Sequence, residues 1–260
     1  MEKITSLQNA RIKQTLLLIE KPRERKLCNL FVIEGRRELG LALQAGYTIE
    51  TLFICPEICD ATLPLPQCRQ YFEITLPVFQ KLAYRHHSDG LLAVAQQKPH
   101  HLSALKLSQH PFVLVIEAVE KPGNLGAILR TADAAHVDAV IVCDPLCEIY
   151  NPNAVRSSIG CLFTTQVACC SSEETFAFLT TNKIHILAAE LQGSVWYHAT
   201  DMQQSTAVVF GTEADGLSGF WLRNAHQRIK IPMRGAIDSL NVSVSVAVIA
   251  FEAMRQRNFV

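Results

Sequence analysis

From Phe112 onward, short and almost uninterrupted apolar runs alternate with segments of helical character, which constrains the fold more than any other feature. Residues 112–119, FVLVIEAV, show no polar alternation. A strand of that kind is buried on both faces, and such strands belong to parallel sheets covered by helices on each side. Further strands are expected at 139–143, 184–189, 207–210 and 227–231. Helices are expected at 153–159, 173–181 and 242–257, and residues 123–135 read as a loop running into a helix. Ligands of such sheets sit beyond the carboxyl ends of the strands, in loops that carry the polar residues.

Residues 1–97 read as a smaller α/β unit. A helix is expected over 4–26, a strand at 31–34, a helix over 36–45 stopped by Gly46, and a strand at 51–54. A loop at 56–66, a helix over 76–84 and a strand at 91–95 complete it. Residues 98–110, with Pro99 and Pro111 near the ends, read as a linker to a second domain over 111–260.

The chain has 260 residues, 49% hydrophobic and 18% charged, enough to bury an ample core. The longest apolar run, near 242–251, is about half a membrane span and carries serines, so no transmembrane helix is expected. The N-terminus lacks the apolar stretch of a signal peptide. The nine cysteines therefore read as reduced thiols in a cytoplasmic protein. Their spacing fits no zinc ribbon, and no metal is expected. Net charge is zero, but residues 1–26 hold seven Lys/Arg against three Glu, and Arg223, Arg228, Lys230 and Arg234 cluster without an acid. Both patches fit a phosphate backbone or a solvated helix face equally well.

Three segments at strand ends carry candidate chemistry. KPGNLGAILRTADAA holds Gly123, Asn124, Gly126 and Arg130. It has two of the three glycines of a dinucleotide fingerprint, and an Arg early in a mostly apolar helix calls for an anionic partner unless it snorkels to solvent. VVFGTEADGLSG holds Gly211, where a ligand could press on backbone, then Thr212, Glu213 and Gly216, the last expected to start a helix. IPMRGAIDSLN holds Ile231 and Met233, able to flank a flat ring, then Ser239, Leu240 and Asn241 before an apolar helix. Each segment alone also reads as turn, cap or core.

Taken in this order, the three segments closely resemble the motifs of the SpoU (TrmH-type) branch of the SPOUT RNA 2′-O-ribose methyltransferases. NPNAVRSSIGCLF resembles the family's connecting segment. FVIEGRR, residues 31–37, more loosely resembles the substrate-binding domain that often precedes the catalytic one. The resemblance implies S-adenosylmethionine as methyl donor, an RNA substrate with ribosomal RNA favoured over tRNA, and a C-terminal trefoil knot. It also implies a homodimer with active sites at the subunit interface. It further implies that Gly211, Thr212, Gly216, Ile231, Met233 and Leu240 hold the cofactor, and that Asn124, Arg130, Glu213, Ser239 and Asn241 are the polar catalytic set. Thr212 and Ala214 depart mildly from the family pattern, which often has Asn and Gly there.

Arg130 has two open roles under this resemblance. It takes the 2′-hydroxyl proton with help from a substrate phosphate, or it fixes that phosphate and stabilises alkoxide charge, since free Arg stays protonated. The rival readings are a non-catalytic RNA-binding or ribosome-assembly protein on the same fold, and a nicotinamide-dependent enzyme.

Overall fold

The computed structural model describes residues 1–84, 89–193 and 195–259. The chain forms two compact units, Met1–Pro99 with Glu148–Thr164, and His100–Cys147 with Thr165–Val260. The residues expected as a linker from His100 onward thus belong to the second unit. Glu148–Thr164, within the stretch 111–260, groups with the first unit.

The first unit begins with β1 (Glu2–Ile4), α1 (Ala10–Glu20) and α2 (Pro22–Cys28). The single helix expected over 4–26 is therefore two. Lys21 is extended between them, and Pro22, with no N–H to give, suits the first position of a new helix. Then come β2 (Leu30–Glu34), α3 (Arg36–Gln44), β3 (Ile49–Ile54), β4 (Gln70–Ile74), α4 (Leu76–Leu82) and β5 (Leu91–Gln96). The sheet order is β1-β4-β3-β5-β2, with β5 antiparallel to both its neighbours. Arg25 is buried, donates to the carbonyls of Leu18 (2.5 Å) and Ile19 (3.0 Å), and pairs with Glu148. One of the seven N-terminal cations is thus structural and unavailable to phosphate.

The second unit holds β6 (Phe112–Glu117), α5 (Pro122–Ala134) and β7 (Ala139–Cys143). The chain then supplies α6 (Pro152–Ser157) and α7 (Cys161–Thr164) to the first unit. It returns for β8 (Val167–Cys170), α8 (Ser172–Thr181), β9 (His185–Ala189), β10 (Val195–Trp196), β11 (Thr206–Phe210), α9 (Gly219–Asn224), β12 (Gln227–Lys230) and α10 (Val242–Gln256). All seven strands are parallel, in the order β10-β12-β9-β11-β6-β7-β8.

Val113, Val115, Ile141, Ile186 and Val209 point from this sheet into a core that also holds Trp221, whose Nε1–H donates to Ser172 Oγ at 3.0 Å. α8 starts on a capping box formed by Ser171 and Glu174. The segment expected as a loop from Gly123 is already helical, with Pro122 at its first position. The helix expected at Gly216 starts instead at Gly219.

All nine cysteines are free. Burial pushes the Cys143 and Cys169 thiols up to about 12. No helix among the described residues is long and apolar enough to cross a membrane.

Candidate active site at the carboxyl edge of the parallel sheet

Strands β6, β11 and β12 are within three places of one another in the sheet and run the same way, so the loops that follow them leave from one edge. Those loops are the three candidate segments. Asn124 lies in the first turn of α5, Glu213 follows β11, and Asn241 is the N-cap of α10.

The Glu213 carboxylate joins them. Its Oε1 accepts from Asn124 Nδ2 at 2.7 Å and from Asn241 Nδ2 at 2.5 Å. Its Oε2 accepts from Lys121 Nζ. Asn241 Nδ2 also lies 3.3 Å from Asn124 Oδ1. Asn241 Oδ1 accepts from the backbone N–H of Ser243 at 3.0 Å and from its hydroxyl at 2.6 Å, which closes the start of α10. One side chain thus caps a helix and reaches the carboxylate at once. The bonds from Lys121 and then Asn124 hold the Glu213 carboxyl below its ordinary value, and the same pairing raises Lys121.

Sequence reasoning did not single out Lys121. It is the N-cap residue of α5 and makes no side-chain capping bond. A cation at the positive end of a helix is disfavoured, and that mismatch was the available signal. Glu117 was missed too. It is buried at the end of β6, and its Oε2 accepts from the N–H of Ser218 at 2.8 Å, tying the second loop to the first strand.

The second loop closes on itself. Thr212 N–H donates to the Gly216 carbonyl at 2.9 Å, and Thr212 Oγ1 accepts from Asp215 N–H at 3.0 Å. A Cβ on Gly211 would lie 2.1 Å from the carbonyl carbon of Gly216, and Gly216 itself has φ +70°. Both glycines are therefore required by the turn, whether or not a ligand approaches it. A small, open cleft lies beside this turn, lined by Ile116, Ala118, Val119, Thr212, Glu213 and Val242 among others.

The third loop is less regular. Ile231, Met233 and Leu240 are half-buried, and Ser239 is exposed with its hydroxyl on Asp238 Oδ1 at 3.1 Å. The backbone groups of residues 232–240 make no hydrogen bond to another described residue. Unspent main-chain donors and acceptors beside half-buried apolar side chains suit the edge and faces of a flat heterocycle.

Arg130 and Ser239 stand outside the hydrogen-bonded cluster. Arg130 is exposed on α5, about 9 Å further along the axis than Asn124, and forms no ion pair with a described residue. The basic group near the third loop is partly spent as well: Arg228 bonds the Leu222 carbonyl at 2.6 Å and pairs with Glu190 at 3.5 Å.

Compared with known proteins, residues 111–251 match the model of the SpoU rRNA Methylase family, and residues 9–93 match an MRM3-like substrate binding domain. The chain is 28% identical to the 23S rRNA (guanosine(2553)-2'-O)-methyltransferase RlmP of Bacillus subtilis, over 96% of this chain and 98% of that one. A crystal structure described as an RNA 2'-O ribose methyltransferase superposes with a TM-score of 0.86 at 34% identity, covering 98% of this chain and 99% of the other. An AdoMet-bound rRNA methyltransferase from Sinorhizobium meliloti gives 0.86 at 26% identity, covering 98% and 97%.

Proposed function

We infer that this chain, which belongs to the SpoU rRNA Methylase family, is an S-adenosylmethionine-dependent 2′-O-ribose methyltransferase of ribosomal RNA. The observation that carries the reading is the single carboxylate, Glu213, bonded to one asparagine from each of the other two strand-end loops.

S-adenosylmethionine supplies the methyl group. The residues present fit it: Gly211, Thr212 and Gly216 form a tight loop at the sheet edge, and Ile231, Met233 and Leu240 offer apolar walls beside unspent backbone groups. Held there, it would present its sulfonium methyl to the ribose 2′-oxygen and leave as S-adenosylhomocysteine, with the hydroxyl proton passing to a substrate phosphate or water. Positioning supplies much of the rate in such a transfer. Glu213, Asn124 and Asn241 lock the three loops in one geometry. Ser239 belongs to the third of these loops, and Arg130 holds the substrate phosphate that receives the proton and stabilises the developing alkoxide.

Arg130 is detached from the cluster of its own chain, which fits a homodimer in which it serves a site shared between subunits. Val244 and Phe251, both exposed and seven residues apart on one face of α10, give that dimer an apolar stripe. A trefoil knot formed by the loops after β11 and β12 belongs to the same reading, as do a substrate-binding role for residues 1–97 and work in the cytoplasm.

The test is to incubate the protein with labelled S-adenosylmethionine and total RNA, then map 2′-O-methyls. Label in ribosomal RNA is expected. Label confined to tRNA would replace the substrate, and binding of RNA without transfer would make the protein a non-catalytic RNA binder.

A further inference from the structure

We propose that Trp196 is a stacking platform for a nucleobase of the RNA substrate that flanks the methylated nucleotide; this rests on the methyltransferase reading above. Trp196 is the last residue of β10, the outermost strand of the sheet, and it pairs in register with Lys230, the last residue of β12. Every strand of the sheet is parallel, so Trp196 stands on the same edge as the three site loops. β12 runs directly from Lys230 into the loop that holds Ile231 and Met233.

The ring is placed to receive something. Trp196 is 45% exposed, whereas Trp221, the other tryptophan of the chain, is wholly buried. A two-residue edge strand gains little from a tryptophan as packing, because β10 has a single neighbour strand to pack along. The Lys230 ammonium lies 4.8 Å from the ring centroid and makes no ion pair with a described residue. That ammonium lies over one face of the ring as a cation–π contact, and an aromatic ring with a cation against it is the pairing that takes a base and its phosphate together. The turn before β10 is braced: a Cβ on Gly193 would lie 2.6 Å from the Ile229 backbone, so this end of the strand is pressed against β12.

The position of β10 indicates which nucleotide is held. It is three places from β11, where Glu213 follows, or about 14 Å across the sheet. A base on Trp196 is therefore a neighbour of the reacting nucleotide, and the contact tolerates any base because every base has a stacking face. Lys230 adds a phosphate contact that weakens with salt.

The test uses the full chain and poly(U) RNA, followed by tryptophan fluorescence and acrylamide quenching, with methyl incorporation into ribosomal RNA measured in parallel. Without RNA, acrylamide should quench Trp196 readily. Poly(U) should quench the emission further and shield the ring from acrylamide. Trp196→Ala should remove that response and weaken RNA binding roughly tenfold or more, while Trp196→Phe keeps most of the affinity. Melting should be unchanged in both variants. If acrylamide cannot reach Trp196 before RNA is added, a second copy covers the ring and the proposal fails. It fails equally if Trp196→Ala binds poly(U) and methylates RNA with wild-type KM. RNA-dependent quenching without methyl transfer by the wild-type protein would instead overturn the enzyme reading and leave the stacking contact standing.

Discussion

Asn124, in the first turn of α5, donates a 2.7 Å hydrogen bond to the carboxylate of Glu213, 89 positions later in the chain. Neither residue is buried, and the bond joins two strand-end loops rather than filling a core. Its worth lies in geometry, since an exposed polar contact adds little to global stability.

Glu213→Gln separates those two effects. The amide keeps one acceptor oxygen but points a second donor toward Lys121, which loses its charge partner. kcat/KM for methyl transfer should fall about tenfold or more, because hydrogen bonds to a charged acceptor are the stronger ones. The melting temperature should move by no more than a few degrees. A variant with wild-type turnover would show that the cluster does not organise the site.

Acid should open the cluster in a defined direction. The folded-state Glu213 carboxyl lies below its ordinary value of 4.5, so its contribution is fully present above that pH. It is lost only as pH falls through the lowered folded value. The carboxyl carbon of Glu213, followed by NMR, should therefore show no titration between about pH 5 and 8. A midpoint above the ordinary value would contradict the Lys121 and Asn124 bonds.

Arg130→Ala should remove methyl transfer by a factor of about a hundred or more and leave S-adenosylmethionine binding intact by calorimetry. The side chain is exposed and forms no ion pair with a described residue, so stability should hold to about ±0.5 kcal/mol. Mixing this variant with an inactive Glu213 variant tests the shared site: a homodimer with sites built across subunits should recover part of the activity.

Gly211→Ala should act on the turn. The added methyl would meet the Gly216 carbonyl carbon at 2.1 Å, with backbone on both sides and no side chain to yield. Cofactor affinity should drop more than tenfold by calorimetry while α5 and the core of the sheet stay folded by circular dichroism. Unchanged affinity would mean that this turn does not hold the cofactor.

Much of the architecture was legible in the sequence because burial on both faces leaves its mark on composition. The strand at Ala139–Cys143 matches its expected limits, and β6, β9 and β11 fall within two residues of theirs. Strands β1, β4, β8 and β10 were not anticipated, because short edge or mixed segments such as QYFEI and VW lack a continuous apolar run. The split between α1 and α2 was readable in Pro22, whose missing N–H marks a helix start.

By itself the sequence determined the alternation of buried strands with helices, the three polar loops and the family they resemble, because periodicity, breakers and motif spacing are local properties. Only the tertiary structure decided which of those loops meet. The sheet order sets β6 beside β11, one strand from β9 and two from β12, and so brings Asn124, Glu213 and Asn241 onto one carboxylate. It also recruited Lys121 and Glu117, left Arg130 and Ser239 outside the cluster, buried Arg25 against Glu148, and set Trp196 beside Lys230. Contacts between residues tens of positions apart depend on strand order and register, which no local pattern encodes.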